Sequence, residues 1–202
     1  MKAPTKIDLT ALSLTTDDQV LIKDVYENGL GEFYTRNDFA PAYEAQHDLD
    51  WPAKSLVLIG GGKDSLVSVD LLTRANIPFT PFAVNPKGPI ITSTDQIEQN
   101  PIFVRRYLSP NLFELNGQPG FYNGHVPSTA INSAIAAIIA ALYGYNEIIL
   151  SNERSASEGN MEFDGREVNH QHSKSFDFEQ LIAKSFATAS HKNLGYFSML
   201  RP

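Results

Sequence analysis

The chain has 202 residues, 42% hydrophobic and 19% charged, which is enough to bury a real core and near the usual size of one domain. Sixteen Lys and Arg against 23 Asp and Glu leave a net charge of -7, which argues against broad attraction to nucleic acid and requires any anionic ligand to be held locally. The absence of cysteine excludes disulfides, thiolate zinc sites and cysteine nucleophiles, and it permits a reducing cytoplasm.

The opening residues, MKAPTKIDLT, lack the apolar core of a secretion signal. Residues 1–53 are polar and irregular, punctuated by Gly29, Gly31, Pro41 and Pro52, and read as a short N-terminal segment or the remnant of a larger domain. A clearer rhythm starts at Lys54, and 54–202 reads as one α/β domain. The short apolar run Ser55–Ile59 predicts a buried parallel strand, Leu66–Ala75 its helix, and Phe79–Val84 the next strand. This strand-helix-strand unit begins a doubly wound, mainly parallel sheet. Residues 85–124 are rich in Pro, Gly and Asn around two apolar runs, Ile102–Val104 and Leu112–Leu115, both read as short strands among loops that cover a ligand.

Ser128 or Thr129 caps a helix in which Ile131, Ile135, Ile138 and Leu142 recur at helical spacing, with its end near Gly144. This most apolar stretch falls short of the roughly 20 residues that span a bilayer and is interrupted by Asn132 and Ser133, so no membrane partner is expected. Glu147–Leu150 reads as a further strand. Residues 151–175 are polar and aperiodic before a final helix from Phe176 to about His191. A polar stretch directly after a strand end is where α/β enzymes place their chemistry.

The segment Gly60-Gly61-Gly62-Lys63-Asp64-Ser65, between a predicted strand and a predicted helix, puts flexible backbone and a helix N-terminus at the carboxyl edge of the sheet. A glycine-rich turn capped by Asp64 or Ser65 is the simpler account, but the strand-turn-helix setting favours a phosphate site. The spacing fits neither a Walker A loop nor a dinucleotide fingerprint.

Three more segments are rich in donors and titratable groups: 123–129 (NGHVPST), 151–156 (SNERSA) and 168–175 (VNHQHSKS). Singly, each has an ordinary account: His125 in a turn, Ser128 as a cap, Arg154 in a surface ion pair. His170 and His172 would point the same way on a strand, suggesting a metal site with Glu153 or Glu167. Asn169, Gln171 and Lys174 make an anion-binding loop the better reading of that stretch.

The loop resembles the Ser-Gly-Gly-x-Asp-Ser loop of PP-loop ATP pyrophosphatases, with Gly60 in place of the first serine. The order GGGKDS, NGHVPSTA, SNERSA, VNHQHSKSFDFE is similar to one branch of that superfamily, the UDP-N-acetyl-α-D-muramoyl-L-alanyl-L-glutamate epimerases. Residues 29–33 (GLGEF) and 82–86 (FAVNP) also match. The resemblance implies an adenine nucleotide α-hydrolase-like fold, ATP and Mg²⁺ as cofactors, and a UDP-muramoyl-dipeptide as the small-molecule substrate in the cytoplasm.

It further implies a phosphate cradle of Gly60, Gly61, Gly62, Lys63, Asp64 and Ser65. Ser65 would donate to the phosphates and Asp64 and Glu153 would hold magnesium, while Lys63 adds charge or is simply solvated. Asn152, Arg154 and Lys174 are implied at the phosphates or the adenylate. Proton transfer falls to His170, Glu153, Lys174 and His125, with His172 also competent. Two alternatives stay open: another PP-loop adenylating enzyme, amide-forming or nucleobase-modifying, and a nucleotide-binding module without turnover.

Overall fold

A computed structural model describes residues 14–29, 54–115, 118–122, 124, 126–154, 161–163, 166–168, 171–190 and 194–201. The chain divides into two compact units, each assembled from three segments. The first comprises Met1–His47, Tyr107–Ala130 and Ser155–Leu181, and the second Asp48–Arg106, Ile131–Arg154 and Ile182–Pro202.

The second unit holds a five-stranded sheet, with β1 (Ser55–Leu58), β2 (Phe79–Val84), β3 (Ile102–Val104), β4 (Glu147–Leu150) and β7 (Gly195–Ser198) in the order β3-β2-β1-β4-β7. Every pairing is parallel. β1 is registered on both sides, with Val57 opposite Pro81 of β2 and Ile149 of β4. Pro81, which has no N–H to give, lies one residue before the β2–β3 ladder begins at Phe82.

Both faces of this sheet are covered. Val57, Ile149 and Phe79 pack with Val69 and Leu72 of helix α2 (Lys63–Arg74). Tyr196, in register with Ile148, bonds the Ser133 hydroxyl of helix α5 (Ser128–Tyr143) at 2.8 Å and meets the Phe186 ring of helix α6 (Phe176–Ala189) edge-on. Leu56, Val57, Ile148 and Ile149 are at most 2% exposed. Each contributes about 1.5–3 kcal/mol by leaving water. Burial on both faces explains why these strands are continuous apolar runs.

Helix α2 starts at Lys63, three residues ahead of its apolar pattern, because the glycines end at Gly62 as its N-cap. Helix α5 buries the opposite of its expected stripe. Ala130, Ser133, Ala136 and Ala140 are at most 8% exposed, whereas Ile138 and Leu142 are 60% and 71% exposed. Small side chains let the helix approach the sheet closely, so the larger aliphatic residues point outward. The helix begins at Ser128 itself, and Gly144, at φ 70°, follows its last turn in the left-handed region.

Two expectations for 85–124 change. Leu112–Leu115 is no strand: α4 (Asn111–Glu114) is one helical turn nucleated behind Pro110, with Phe113 62% exposed. Four apolar residues cannot distinguish the two periods. A six-residue helix, α3 (Pro89–Thr94), follows Gly88, its proline at the first helical position where a missing N–H costs nothing.

The first unit contains α1 (Thr16–Glu27), α4, an antiparallel hairpin of β5 (Met161–Phe163) and β6 (Arg166–Val168), and a 3₁₀ turn at His172–Lys174. α5 and α6 contribute residues to both units. The start of α1 is a capping box: the Thr15 hydroxyl accepts from the Asp18 N–H, and the Asp18 carboxylate accepts from the Thr15 N–H at 2.9 Å.

Candidate functional site

In a parallel sheet the strand order reverses at one seam, and ligands settle in the crevice beyond the carboxyl ends of the strands there. Here the seam is β1 against β4, since the chain winds outward through β2 and β3 on one side and through β7 on the other. The segments leaving those two carboxyl ends are Gly60–Gly62 and Ser151–Arg154. Both were singled out by composition, and sheet topology makes them neighbours.

Gly61 sits at φ 76°, and a Cβ there would fall 2.8 Å from the Ile90 nitrogen, so this position must be glycine. Gly60 and Gly62 have open space where a side chain would stand. Gly62 caps α2 without any side-chain hydrogen bond, and α2 runs for 12 residues. Its first turn therefore has no side-chain cap from Gly62, and this end is the positive pole of the helix. The Ser65 hydroxyl donates to the Gly62 carbonyl at 2.9 Å and is buried, fastening the loop to the first turn. The Ser68 and Ser151 hydroxyls, 2.8 Å apart, tie α2 to the start of the segment after β4.

Charge converges on this edge. The Lys63 ammonium lies 2.8 Å from Asp64 Oδ1 and 3.8 Å from Glu153 Oε2. The hydrogen bond from Lys63 to Asp64, then the charges of Asp64 and Glu153, hold the lysine above its ordinary value, so it remains a cation throughout the neutral range. The ammonium already serves both carboxylates, so a divalent ion held by them would have to displace it. Magnesium typically uses one or two carboxylates and completes its shell with phosphate oxygens and water. Among the described residues no group of three or more acidic or histidine side chains gathers, so a metal at this edge would need ligand oxygens.

Other predicted residues fall as follows. Asn152 is partly exposed and Arg154 exposed, both directly beyond β4. Lys174 lies in the 3₁₀ turn of the first unit, its ammonium donating to Gln171 Oε1 at 2.8 Å. His125 and His170 lie outside the described residues.

The strand geometry expected for the His170 and His172 pair is not what His172 adopts, because it opens the 3₁₀ turn and its Nε2 bonds Asp24 Oδ2 at 2.7 Å. That carboxylate sits on α1, in the stretch read as irregular, and no local pattern links positions 148 residues apart. The one available signal for α1 was Thr15 followed three residues later by Asp18. A second feature missed by the pattern is Asn85, at φ 49° beyond β2. Its side chain accepts from the Arg106 N–H at 2.7 Å and donates to the Arg106 carbonyl at 3.1 Å, bracing the chain beyond β3.

The family described as MurL N-terminal domain matches residues 1–199. Three relatives bear the name UDP-N-acetyl-alpha-D-muramoyl-L-alanyl-L-glutamate epimerase. That of Xanthomonas oryzae pv. oryzae is 38% identical over 98% of this chain and 46% of its own length. Those of a Micromonospora species and Salinispora tropica are 38% and 36% identical over 90% of this chain, covering 43% and 42% of theirs. The chain thus spans less than half the length of these relatives. Among the described residues no helix is long and apolar enough to cross a membrane.

Proposed function

The chain belongs to the MurL N-terminal domain family, and from that premise we propose that it is the nucleotide-handling part of an ATP-dependent epimerase in the cytoplasm, acting on the terminal L-glutamate of UDP-N-acetylmuramoyl-L-alanyl-L-glutamate. The observation that carries this reading is the convergence of the glycine loop, Asp64 and Glu153 on the β1–β4 seam. We assign the loop to the PP-loop pyrophosphatase class. The open space at Gly60 and Gly62 and a helix start without a side-chain cap fit a polyphosphate tail, and the spacing fits neither a Walker A loop nor a dinucleotide fingerprint.

The chemistry follows from charge. An ionised carboxylate makes its own α-proton very hard to remove, because the carbanion would form beside an existing negative charge. Transfer of AMP to the glutamate α-carboxylate, with pyrophosphate leaving, removes that charge and makes the α-proton acidic. The Gly60–Gly62 amides and Lys63 would hold the β- and γ-phosphates, and Asn152 and Arg154 the α-phosphate side.

Asp64 and Glu153 would hold Mg²⁺, which neutralises charge building on the leaving pyrophosphate. Ser65, fastened to Gly62, would keep the loop in shape. Proton exchange at the α-carbon would draw on His170, Lys174, His125 and Glu153, and hydrolysis would free AMP and the D-glutamyl product.

The test is release of pyrophosphate and AMP from ATP, Mg²⁺ and UDP-muramoyl-dipeptide, with appearance of the D-glutamyl epimer. Asp64→Ala should abolish pyrophosphate release, and unchanged release would remove the loop from the mechanism. ATP binding without AMP formation under any of these conditions would leave a nucleotide-binding module instead. AMP formation driven by a different acceptor would leave another adenylating enzyme.

A further inference from the structure

The buried face of α2 changes character along its length: Ser65 and Ser68 lie on the side of the glycine loop, and Val69 and Leu72 follow. Ser68 is 0% exposed. A hydroxyl shut away from water must place its proton in a hydrogen bond or carry a cost that alanine would avoid. Within a helix the usual acceptor is the carbonyl one turn back, and Thr73 of the same helix uses it, donating to the Val69 carbonyl at 2.8 Å. Ser68 reaches across the β1–β4 seam instead, to Ser151 Oγ at 2.8 Å.

The burial of the two serines fixes the direction of this bond. Each hydroxyl has one proton to give and lone pairs to accept with. Ser68 is sealed and Ser151 is partly exposed, so both are satisfied when Ser68 donates and Ser151 accepts. The Ser151 proton is then left for a partner outside the packed face. Glu153, two residues on, lies 3.8 Å from the Lys63 ammonium at the start of α2. Two contacts in this order, Ser151 on Ser68 and Glu153 on Lys63, run the segment that leaves β4 back along α2 toward the glycine loop. Both serines, the loop and Glu153 belong to the second unit.

We propose that Ser151 is a further phosphate-binding residue of the seam, its hydroxyl donating to a phosphate oxygen of the bound nucleotide, with Ser68 as its positioning residue. This rests on the nucleotide-handling reading above. By filling one lone pair of Ser151, Ser68 keeps that hydroxyl from turning back into the protein, so the donor meets the phosphate already oriented. A neutral donor also suits its place in the sequence: it gives a hydrogen bond to an anion without a charge for the Glu153 carboxylate to capture.

Titration calorimetry of ATP with Mg²⁺ into the intact chain tests both residues. Ser151→Ala should weaken ATP by roughly 10-fold or more, the loss expected for a hydrogen bond to a charged group. Ser151→Thr, which keeps the hydroxyl, should bring affinity back to within a few fold of the parent. Ser68→Ala should weaken ATP by a smaller factor than Ser151→Ala. In the Ser151→Ala background the same Ser68 change should have no further effect on ATP affinity, since its route to the ligand has gone; a merely structural role would weaken both backgrounds alike.

Unchanged ATP affinity in Ser151→Ala overturns the proposal, and so does a Ser151→Thr variant as weak as Ser151→Ala. Additive losses from Ser68 and Ser151 overturn the positioning role. Weakened binding of UDP-muramoyl-dipeptide with ATP unaffected would give the donor to the other ligand and overturn it as well. Should Ser68→Ala fail to fold, the two Ser151 variants still decide, because that side chain is partly exposed. Absence of ATP binding by the unmutated chain would instead refute the nucleotide reading itself.

Discussion

The two clusters of charged groups are held by opposite means. At the β1–β4 seam, Lys63, Asp64 and Glu153 are presented by strand ends and a helix start, and their side chains stay 79%, 34% and 52% exposed. In the first unit, Asp24 and His172 come from segments 148 residues apart and are each less than one-fifth exposed. The first cluster is placed by backbone topology and its side chains are free to exchange partners. The second is placed by its own contacts. Under the proposed function, exchange of phosphates and a cation suits the first construction, whereas the second holds one imidazole in one place.

The backbone that builds the seam should be the most sensitive part. Gly61→Ala forces a left-handed φ on alanine and pushes Cβ to 2.8 Å from the Ile90 nitrogen. The combined strain and clash should cost about 2–4 kcal/mol, read as a lowered midpoint in urea. Gly60→Ser, whose Cβ meets nothing within 4 Å, should stay within about 0.5 kcal/mol of the parent. Equal losses at both positions would show that the loop is held by something other than the Gly61 backbone.

Asp24→Ala should come next, at about 1–3 kcal/mol, because it strips the acceptor from a mostly buried imidazole nitrogen. Thermal melts of this variant against Asp24→Asn, which keeps an acceptor, would separate the hydrogen bond from the charge. A similar contrast lies on one helix: Ala136→Leu should cost about 1–3 kcal/mol by overfilling the contact of α5 with the sheet. Leu142→Gln, at a position 71% exposed, should fall within about 0.5 kcal/mol. Reversal of that order would restore the stripe that spacing alone suggests.

How much of this could be read beforehand follows the same division. Strands β1, β2 and β4 were legible because burial on both faces leaves uninterrupted apolar runs, and Gly60–Ser65 was legible because loop and helix are adjacent in sequence. Helix α5 was legible as a helix but not in its orientation, since Ala136 and Ala140 bury completely while carrying little apolar signal. β7 (GYFS) has only four residues alternating between exposed and buried, too short to stand out. The Asp24–His172 contact was unreadable, because the two partners meet only in the tertiary fold.

The smallest effect should be at Lys63, whose place at the centre of the seam invites the opposite guess. Its ammonium is 79% exposed, and an exposed pair returns little stability once water and salt screen it. Because Asp64 and Glu153 raise its folded value above the ordinary 10.5, whatever it adds is fully present below that pH and is lost only as pH climbs through the raised value. Melting curves of the parent and Lys63→Ala should therefore run parallel and nearly superimposed from pH 6 to pH 9, with any difference in slope confined to the region above about 10. A gap that opened below pH 9 would mean that the lysine is more enclosed than its exposure indicates, and the contrast with the Asp24–His172 pair would fail.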